Sequence, residues 1–174
     1  MSINWRRSLE YGFSYQTLFL TMDFDYIAYC DGSFQSSIDC GGWSSVIIKD
    51  NKIIKKLYQG YRHTTNNRME IMGVLETLRY FKTPVSIKIY SDSQYVVNSI
   101  VNKYVYNWFE AKDFTKKNLD LWFELIDLLE FHNVTLEWVK GHDGNEFNNL
   151  ADKLAVHAAQ CLNIPEDEIN TVNF

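Results

Sequence analysis

The segment NRMEIMGVLETLRYFKTPVSIKIYSDS, residues 67–93, decides the fold because it joins a helical pattern to a strand that ends in an acidic turn. Its apolar residues first recur at intervals of four and three, which predicts a helix over 67–82. Residues 64–67, TTNN, offer several candidate N-caps, and Glu70 falls three residues after Asn67 at the spacing of a capping box, so it is expected in the first turn of that helix. Residues 85–90 alternate as a β-strand, and Asp92 follows them. The segment therefore predicts an α/β fold.

Strand and helix patterns also lie on both sides of this unit. Three strand-like segments precede it, and the second and third are joined by a turn signal at Asp50-Asn51. The order predicts a mixed sheet whose first three strands are antiparallel, with helices packed on it. Strands are predicted at 26–30, 42–48, 52–61 and 134–139, and helices at 93–108, 119–131 and 145–161.

The composition limits the class of protein. A chain of 174 residues is typical of one domain. Hydrophobic residues make up 46% and aromatic residues 16%, which suffices for a core and excludes a mostly disordered chain. The formal net charge of −5 argues against attachment to nucleic acid through overall positive charge, so any such contact must be local.

Cysteine usage and hydropathy favour a reducing, cytoplasmic location. Cys30, Cys40 and Cys161 are odd in number and form no CxxC pair, which argues against a disulfide framework and a zinc site. No apolar run approaches the ~18 residues of a membrane span, and no signal peptide is predicted.

Four acidic residues fall where they could converge. Asp31 follows the first strand and Asp92 the fourth, so both lie at one edge of the sheet if these strands are parallel neighbours. Glu70 is expected in the first turn of the first helix, and Asp152 borders the apolar face of the last. Converging carboxylates repel one another unless cations lie between them, and Mg²⁺ or Mn²⁺ suits such oxygen ligands. Spacing alone leaves open that these are ordinary surface acids.

Six short motifs follow one another along the chain: DGS at 31–33, GG at 41–42, TNNRME at 65–70, YSDSQYV at 90–96, WVKGH at 138–142 and NNLADKLA at 148–155. Together they resemble the type 1 ribonuclease H family. The resemblance covers about residues 24–162, and the motifs are specific in combination rather than singly. It implies a ribonuclease H-like α/β fold, with a mixed five-stranded sheet and helices packed on both faces.

The resemblance implies a metal-dependent endonuclease that cleaves the RNA strand of RNA/DNA hybrids, leaving 5′-phosphate and 3′-hydroxyl ends. Asp31, Glu70, Asp92 and Asp152 match the family's acids that bind two Mg²⁺ ions, for which Mn²⁺ can substitute. By the same match, Asp31 bridges both ions and Asp152 helps hold the ion that activates water. Glu70 and Asp92 help hold the ion at the leaving group. His142 matches a mobile loop histidine that assists proton transfer or product release.

The resemblance also implies contacts to the RNA strand. Recognition of RNA against DNA requires contacts to the 2′-hydroxyl groups across the minor groove. Helix capping is an alternative role for the two asparagines in this set, and both roles can hold at once. The matching positions are the backbone at Gly32 and Ser33 and the side chains of Asn66, Asn67, Glu70 and Gln94.

A basic helix and loop grip the DNA strand in the family, and residues 107–118 match them; we call these residues the handle. Its candidate substrate-binding cations are Lys112, Lys116 and Lys117, partly offset by two acids. The handle is shorter and less basic than the stronger family versions, so we expect weak, salt-sensitive substrate binding. Asp39 adds a negative charge near the expected groove.

The chain is predicted to have three parts: an N-terminal extension of unknown role at 1–21, a catalytic domain at 22–162, and a polar, loosely packed tail at 163–174. A monomer without an obligatory protein partner is expected. The implied role is removal of primers or hybrids during replication. The alternatives are a catalytically weak or inactive hybrid-binding module, a resolvase or 3′–5′ exonuclease on the same fold, and a domain detached from a reverse transcriptase.

Overall fold

The computed structural model describes residues 24–141, 144–161 and 165–167. The strands are β1 (Tyr26–Gln35), β2 (Cys40–Lys49), β3 (Lys52–Arg62), β4 (Ser86–Ser91) and β5 (Asn133–Trp138). The helices are α1 (Asn66–Tyr80), α2 (Gln94–Val101), α3 (Tyr104–Glu110), α4 (Leu119–Phe131) and α5 (Glu146–Ala159).

The five strands form one mixed sheet in the order β3-β2-β1-β4-β5. β1 and β3 each pair antiparallel with β2, whereas β4 pairs parallel with both β1 and β5. The predicted five-stranded mixed sheet is confirmed. Because β1 and β4 are parallel neighbours, the residues that follow their paired segments meet at one edge of the sheet.

Helices cover both faces of the sheet, as predicted. Cys30 and Ile47 belong to the larger core, which α1 to α4 complete on one face. Tyr29 and Val46, one residue earlier on the same strands, pack on the other face with Ala151 of α5. Alternate residues of a strand point to opposite faces, so β1 and β2 are apolar on both.

The predicted helix at 93–108 is wrong, because the chain forms two helices there. Lys103 has a φ of 57°, a left-handed conformation that few non-glycine residues adopt, and it separates α2 from α3. The apolar periodicity continues through the break, and no glycine or proline marks it.

Strand β1 is longer than the predicted segment at 26–30. Its parallel pairing with β4 ends at Cys30 opposite Ser91, but β1 continues to Gln35 in antiparallel pairing with β2. Asp31 therefore lies within β1, at the end of the parallel ladder rather than at the end of the strand.

The C-terminal segment 165–167 is attached to the domain. Arg62 donates its backbone N–H to the Pro165 carbonyl at 2.8 Å, and Asp167 donates to the Arg62 carbonyl at 3.0 Å. The prediction of a loosely packed tail is wrong for these three residues. The predicted extension at 1–21 lies outside the described residues.

All three cysteines of the chain lie in its described part. Cys30, Cys40 and Cys161 are free thiols, and burial raises the pKa of Cys30 to about 12, so that thiol stays neutral. Among the described residues, no helix combines the length and the apolar character that crossing a bilayer requires.

Candidate active site

Asp31 and Asp92 lie side by side at the edge of the sheet. Each directly follows the last paired residue of the parallel β1–β4 ladder. The backbone N–H of Gly32 donates to Asp31 Oδ1 at 2.7 Å and orients that carboxylate. Asp31 is buried, whereas Asp92 is half-buried and faces the open edge.

Glu70 reaches the same edge from α1. The helix begins at Asn66 because the Thr65 hydroxyl caps it, accepting from the Arg68 backbone N–H at 3.3 Å. Thr65 is thus the cap among the candidates at 64–67. Glu70 lies in the second turn, so its predicted first-turn position is wrong. At this position the Glu70 side chain is 7% exposed.

Gly32 allows α1 to approach β1 closely enough for this contact. A Cβ at position 32 would lie 2.4 Å from the backbone N of Glu70 and 2.6 Å from the carbonyl carbon of Met69. Any side chain there would push the helix from the strand. The missing side chain therefore brings Glu70 beside Asp31.

The three acids form a tight cluster. One carboxylate oxygen from each of Asp31, Glu70 and Asp92 lies within 4.8 Å of the others. Burial, and then the charge of Asp92, raises the pKa of Asp31 to about 8. Burial, and then the charges of Asp31 and Asp92, raises the pKa of Glu70 to about 9. Without a counter-charge the cluster therefore resists full ionisation.

The donor atoms of this cluster suit a hard divalent cation. All are carboxylate oxygens, the ligands that Mg²⁺ and Mn²⁺ prefer. Asn66 Nδ2 donates to Glu70 Oε1 at 3.3 Å, but Glu70 Oε2 is buried without a hydrogen-bond partner among the described residues. A buried carboxylate oxygen without a donor is costly, and a bound cation would satisfy it.

The loop after β5 begins against Asp92. The Trp138 indole N–H donates to the Asp92 carbonyl at 3.0 Å, and Val139 extends the ladder by donating to the Ser91 carbonyl. A Cβ at Gly141 would lie 2.7 Å from Asp92 Oδ2. The chain thus enters the predicted histidine loop at the cluster, while His142 itself lies outside the described residues.

Asp152 lies near the cluster but is not one of its three closely spaced members. Its charge contributes, after that of Asp92, to the raised pKa of Asp31. Ser44 pairs with Asp31 across the β1–β2 ladder and donates to the Ala151 carbonyl at 2.6 Å. This bond ties α5, and with it Asp152, to the strand beside Asp31.

The predicted RNA-contacting residues lie around the same edge. Asn66 and Asn67 are exposed on the first turn of α1, and Gln94 is exposed at the start of α2. Gly32 and Ser33 are half-buried on β1. Since Thr65 caps α1, capping does not explain the two asparagines.

The handle presents exposed lysines whose charge is partly balanced. Lys112, Lys116 and Lys117 are exposed. Lys116 pairs with Asp113 at 3.1 Å, and its Nζ lies 5.9 Å from the centroid of the Trp108 ring. One of the three cations is therefore engaged within the handle itself.

Two residues near the site received no role from the sequence. Arg68 is buried in an ion-pair network on α1. Asn148 is 3% exposed on α5, and its Oδ1 has no hydrogen-bond partner among the described residues. The sequence signal for Asn148 is its position four residues before Asp152, because that spacing places both residues on one face of a helix.

Known proteins resemble this chain in sequence and in fold. The RNase H family model matches residues 23–160. Ribonuclease H of Francisella tularensis subsp. novicida is 44% identical over 134 residues, 74% of this chain and 87% of that protein. Ribonuclease H of Rippkaea orientalis is 38% identical over 149 residues, 82% of this chain and 90% of that protein. The crystal structure of LC9-RNase H1, a type 1 RNase H with the type 2 active-site motif, has a TM-score of 0.70 and 28% identity, over 77% of this chain and 71% of that chain.

The raised pKa values predict how the stability of the metal-free protein depends on pH. Between about pH 4 and pH 9 the native state keeps protons on Asp31 and Glu70 that the unfolded chain has lost, so stability falls as pH rises. Asp92→Asn removes a charge that raises both pKa values. We expect its Tm in EDTA near pH 8 to exceed that of the unchanged protein by about 3 °C, equivalent to about 1 kcal/mol.

Asp50→Asn is the matched control, because it makes the same chemical change at an exposed turn position with a φ of 49°. Its Tm should match that of the unchanged protein, and saturating Mg²⁺ should abolish the advantage of Asp92→Asn. A Tm of the unchanged protein in EDTA that stays constant or rises from about pH 5 to pH 9 contradicts the account.

Proposed function

The chain belongs to the ribonuclease H family, and we propose that it hydrolyses the RNA strand of RNA/DNA hybrids with two divalent metal ions, leaving 5′-phosphate and 3′-hydroxyl ends. Membership of this family makes it a metal-dependent endoribonuclease. The cluster of Asp31, Glu70 and Asp92 at the sheet edge is the observation that carries the proposal. Three close carboxylates, two of them buried, would be destabilising without a cation between them.

Four acids would hold the ions. Asp31 is central, because its neighbours include Glu70 and Asp92 in the cluster and its pKa responds to Asp152. Asp152 would complete the site from α5, and Asp31 would contact both ions. Two divalent cations so held supply an activated water and stabilise the charge on the leaving 3′ oxygen. The oxygen-only donor set favours Mg²⁺, with Mn²⁺ as a substitute.

Two hydrogen bonds within the protein orient the proposed metal ligands. The Gly32 N–H fixes the Asp31 carboxylate, and Asn66 fixes one oxygen of Glu70. His142, on the loop that begins against Asp92, is proposed to assist proton transfer or release of the product.

The hybrid would lie across the same edge of the sheet. Asn66, Asn67 and Gln94 are exposed there and carry amides that can donate to and accept from RNA 2′-hydroxyls. Gly32 and Ser33 would present backbone groups to the same strand. The DNA strand would contact the exposed handle lysines, Lys112, Lys116 and Lys117.

We further propose a role in removing primers or hybrids during replication, by a monomer in the cytoplasm. The free thiols of the described chain are compatible with a reducing compartment.

Asp92→Asn tests the proposed chemistry. It removes the charge of one metal ligand without changing side-chain size, so turnover should fall by more than about 100-fold while the fold remains intact. The assay uses four labelled duplexes of one sequence: RNA/DNA, RNA/RNA, DNA/DNA, and DNA with one ribonucleotide. The account expects Mg²⁺-dependent cutting of RNA in the hybrid alone, lost in EDTA and in Asp92→Asn and retained in Asp50→Asn.

Two results of that assay contradict the proposal. Full activity of Asp92→Asn overturns the assignment of the site. If no duplex is cut in Mg²⁺ or Mn²⁺, the proposal of an enzyme is rejected in favour of a hybrid-binding module. Measuring the affinity of the protein for the hybrid would then test that alternative.

His142→Ala should slow turnover by about ten-fold, less than Asp92→Asn, because a proton-transfer group contributes less here than a metal ligand. His157→Ala is the matched control, since His157 is an exposed histidine near the end of α5. Steady-state kcat is the measurement, and equal kcat values for the two variants would remove His142 from the mechanism.

Substrate binding should weaken steeply with added salt, because the handle contacts phosphates through exposed lysines. Lys117→Gln should reduce the slope of log KM against log salt concentration by about one. Lys52→Gln, at the end of the sheet remote from Asp31, should leave the slope unchanged. Cleavage that barely changes with salt would show that the handle does not bind phosphate.

A further inference from the structure

The guanidinium of Arg68 is enclosed between two carboxylates from distant parts of the chain. Its two terminal nitrogens donate to both oxygens of Asp120 on α4 at 3.0 and 2.9 Å. Its Nε and Nη2 donate to both oxygens of Asp167 at 2.6 and 3.0 Å. The side chains of these three residues are 3%, 9% and 4% exposed, so water screens the ion pairs little.

Asp167 also fixes the connection between β3 and α1. The Thr64 hydroxyl donates to Asp167 Oδ2 at 2.7 Å, and the Asp167 backbone N–H donates to the Arg62 carbonyl at 3.0 Å. The residue thus contacts the last residue of β3, the connection, and, through Arg68, the first turn of α1. The Asp167 carboxylate therefore bonds both to the connection, at Thr64, and to α1, at Arg68.

This anchor lies on the segment that sets the position of Glu70. Arg68 is two residues before Glu70, and the backbone of that turn already touches β1 at Gly32. Steric contact limits movement of the turn toward the strand, and the Arg68 network ties the same turn to α4 and to the end of β3. Because Asp31 adjoins Gly32, any movement of the turn changes the separation of the Asp31 and Glu70 carboxylates.

We propose that Asp167 is a positioning residue for the metal centre: through Arg68 it holds the N-terminal turns of α1 against β1 and so fixes the Glu70 carboxylate relative to Asp31. This inference rests on the proposed function, in which Glu70 is a metal ligand. It makes the segment 165–167 part of the architecture that supports catalysis.

A second ion pair between the same two helices provides the control. Arg79, near the end of α1, pairs with Glu124 of α4, and both side chains are partly exposed. Arg79 lies more than two helical turns after Glu70 on α1. Glu124→Ala removes a contact between α1 and α4 without touching the N-terminal turns. If Asp167 only stabilised the fold, removing either contact would affect stability alone.

The test compares Asp167→Ala, Thr64→Val and Glu124→Ala with the unchanged protein, at a temperature where circular dichroism shows each to be folded. Isothermal titration calorimetry measures Mn²⁺ affinity without substrate, and steady-state kinetics measures kcat. We expect Mn²⁺ affinity about three- to ten-fold weaker in Asp167→Ala, at or below the range for groups bonded directly to a ligand. Thr64→Val should show a smaller loss of the same kind, and Glu124→Ala none, with kcat following the same order.

The outcomes separate this inference from the proposed function. If the unchanged protein neither binds Mn²⁺ nor cleaves the hybrid, the proposed function fails and this inference fails with it. If the unchanged protein does both, unaltered Mn²⁺ affinity in Asp167→Ala overturns the positioning role alone. Should Asp167→Ala not fold, Thr64→Val decides: unchanged Mn²⁺ affinity and kcat overturn the inference, and a loss of both relative to Glu124→Ala supports it.

Discussion

Repulsion among three carboxylates at one edge of the sheet is the constraint on which the rest of the site depends. Asp31, Glu70 and Asp92 would separate if the chain allowed it, since burial and mutual repulsion raise the pKa of the two buried members to about 8 and 9. The parallel β1–β4 ladder holds two of them together, and the close contact at Gly32 holds the third. The fold thus keeps together groups whose mutual repulsion is offset by bound protons in the metal-free protein and would be offset by a bound cation.

Much of this arrangement could be predicted from the sequence. The order of strands and helices follows from local periodicity, and the meeting of Asp31 with Asp92 follows from parallel strands. The assignment of all four acids depended on the family motifs, because spacing alone left them as ordinary surface acids. Local patterns therefore predicted the order of the strands and helices, and resemblance to a family predicted the chemistry of the site.

Other features depend on contacts that no local pattern records. The break at Lys103 has no glycine or proline to mark it, and the pattern left several candidate caps for α1 at 64–67, of which Thr65 is the one used. The attachment of Asp167 to Arg68 joins residues 99 positions apart. Such pairings form only when the folded chain brings the partners together, so the sequence predicted a loose tail where the structure has a buried ion pair.

The number of protons released when metal binds distinguishes a cluster that holds protons from one that is already ionised. Isothermal titration calorimetry of Mg²⁺ binding near pH 7, in buffers of different ionisation enthalpy, reports how many protons leave as metal binds. The account predicts net proton release, because the Asp31 and Glu70 carboxyls hold protons at that pH and must lose them to bind metal. Mg²⁺ binding without proton release, or no Mg²⁺ binding at all, would contradict it.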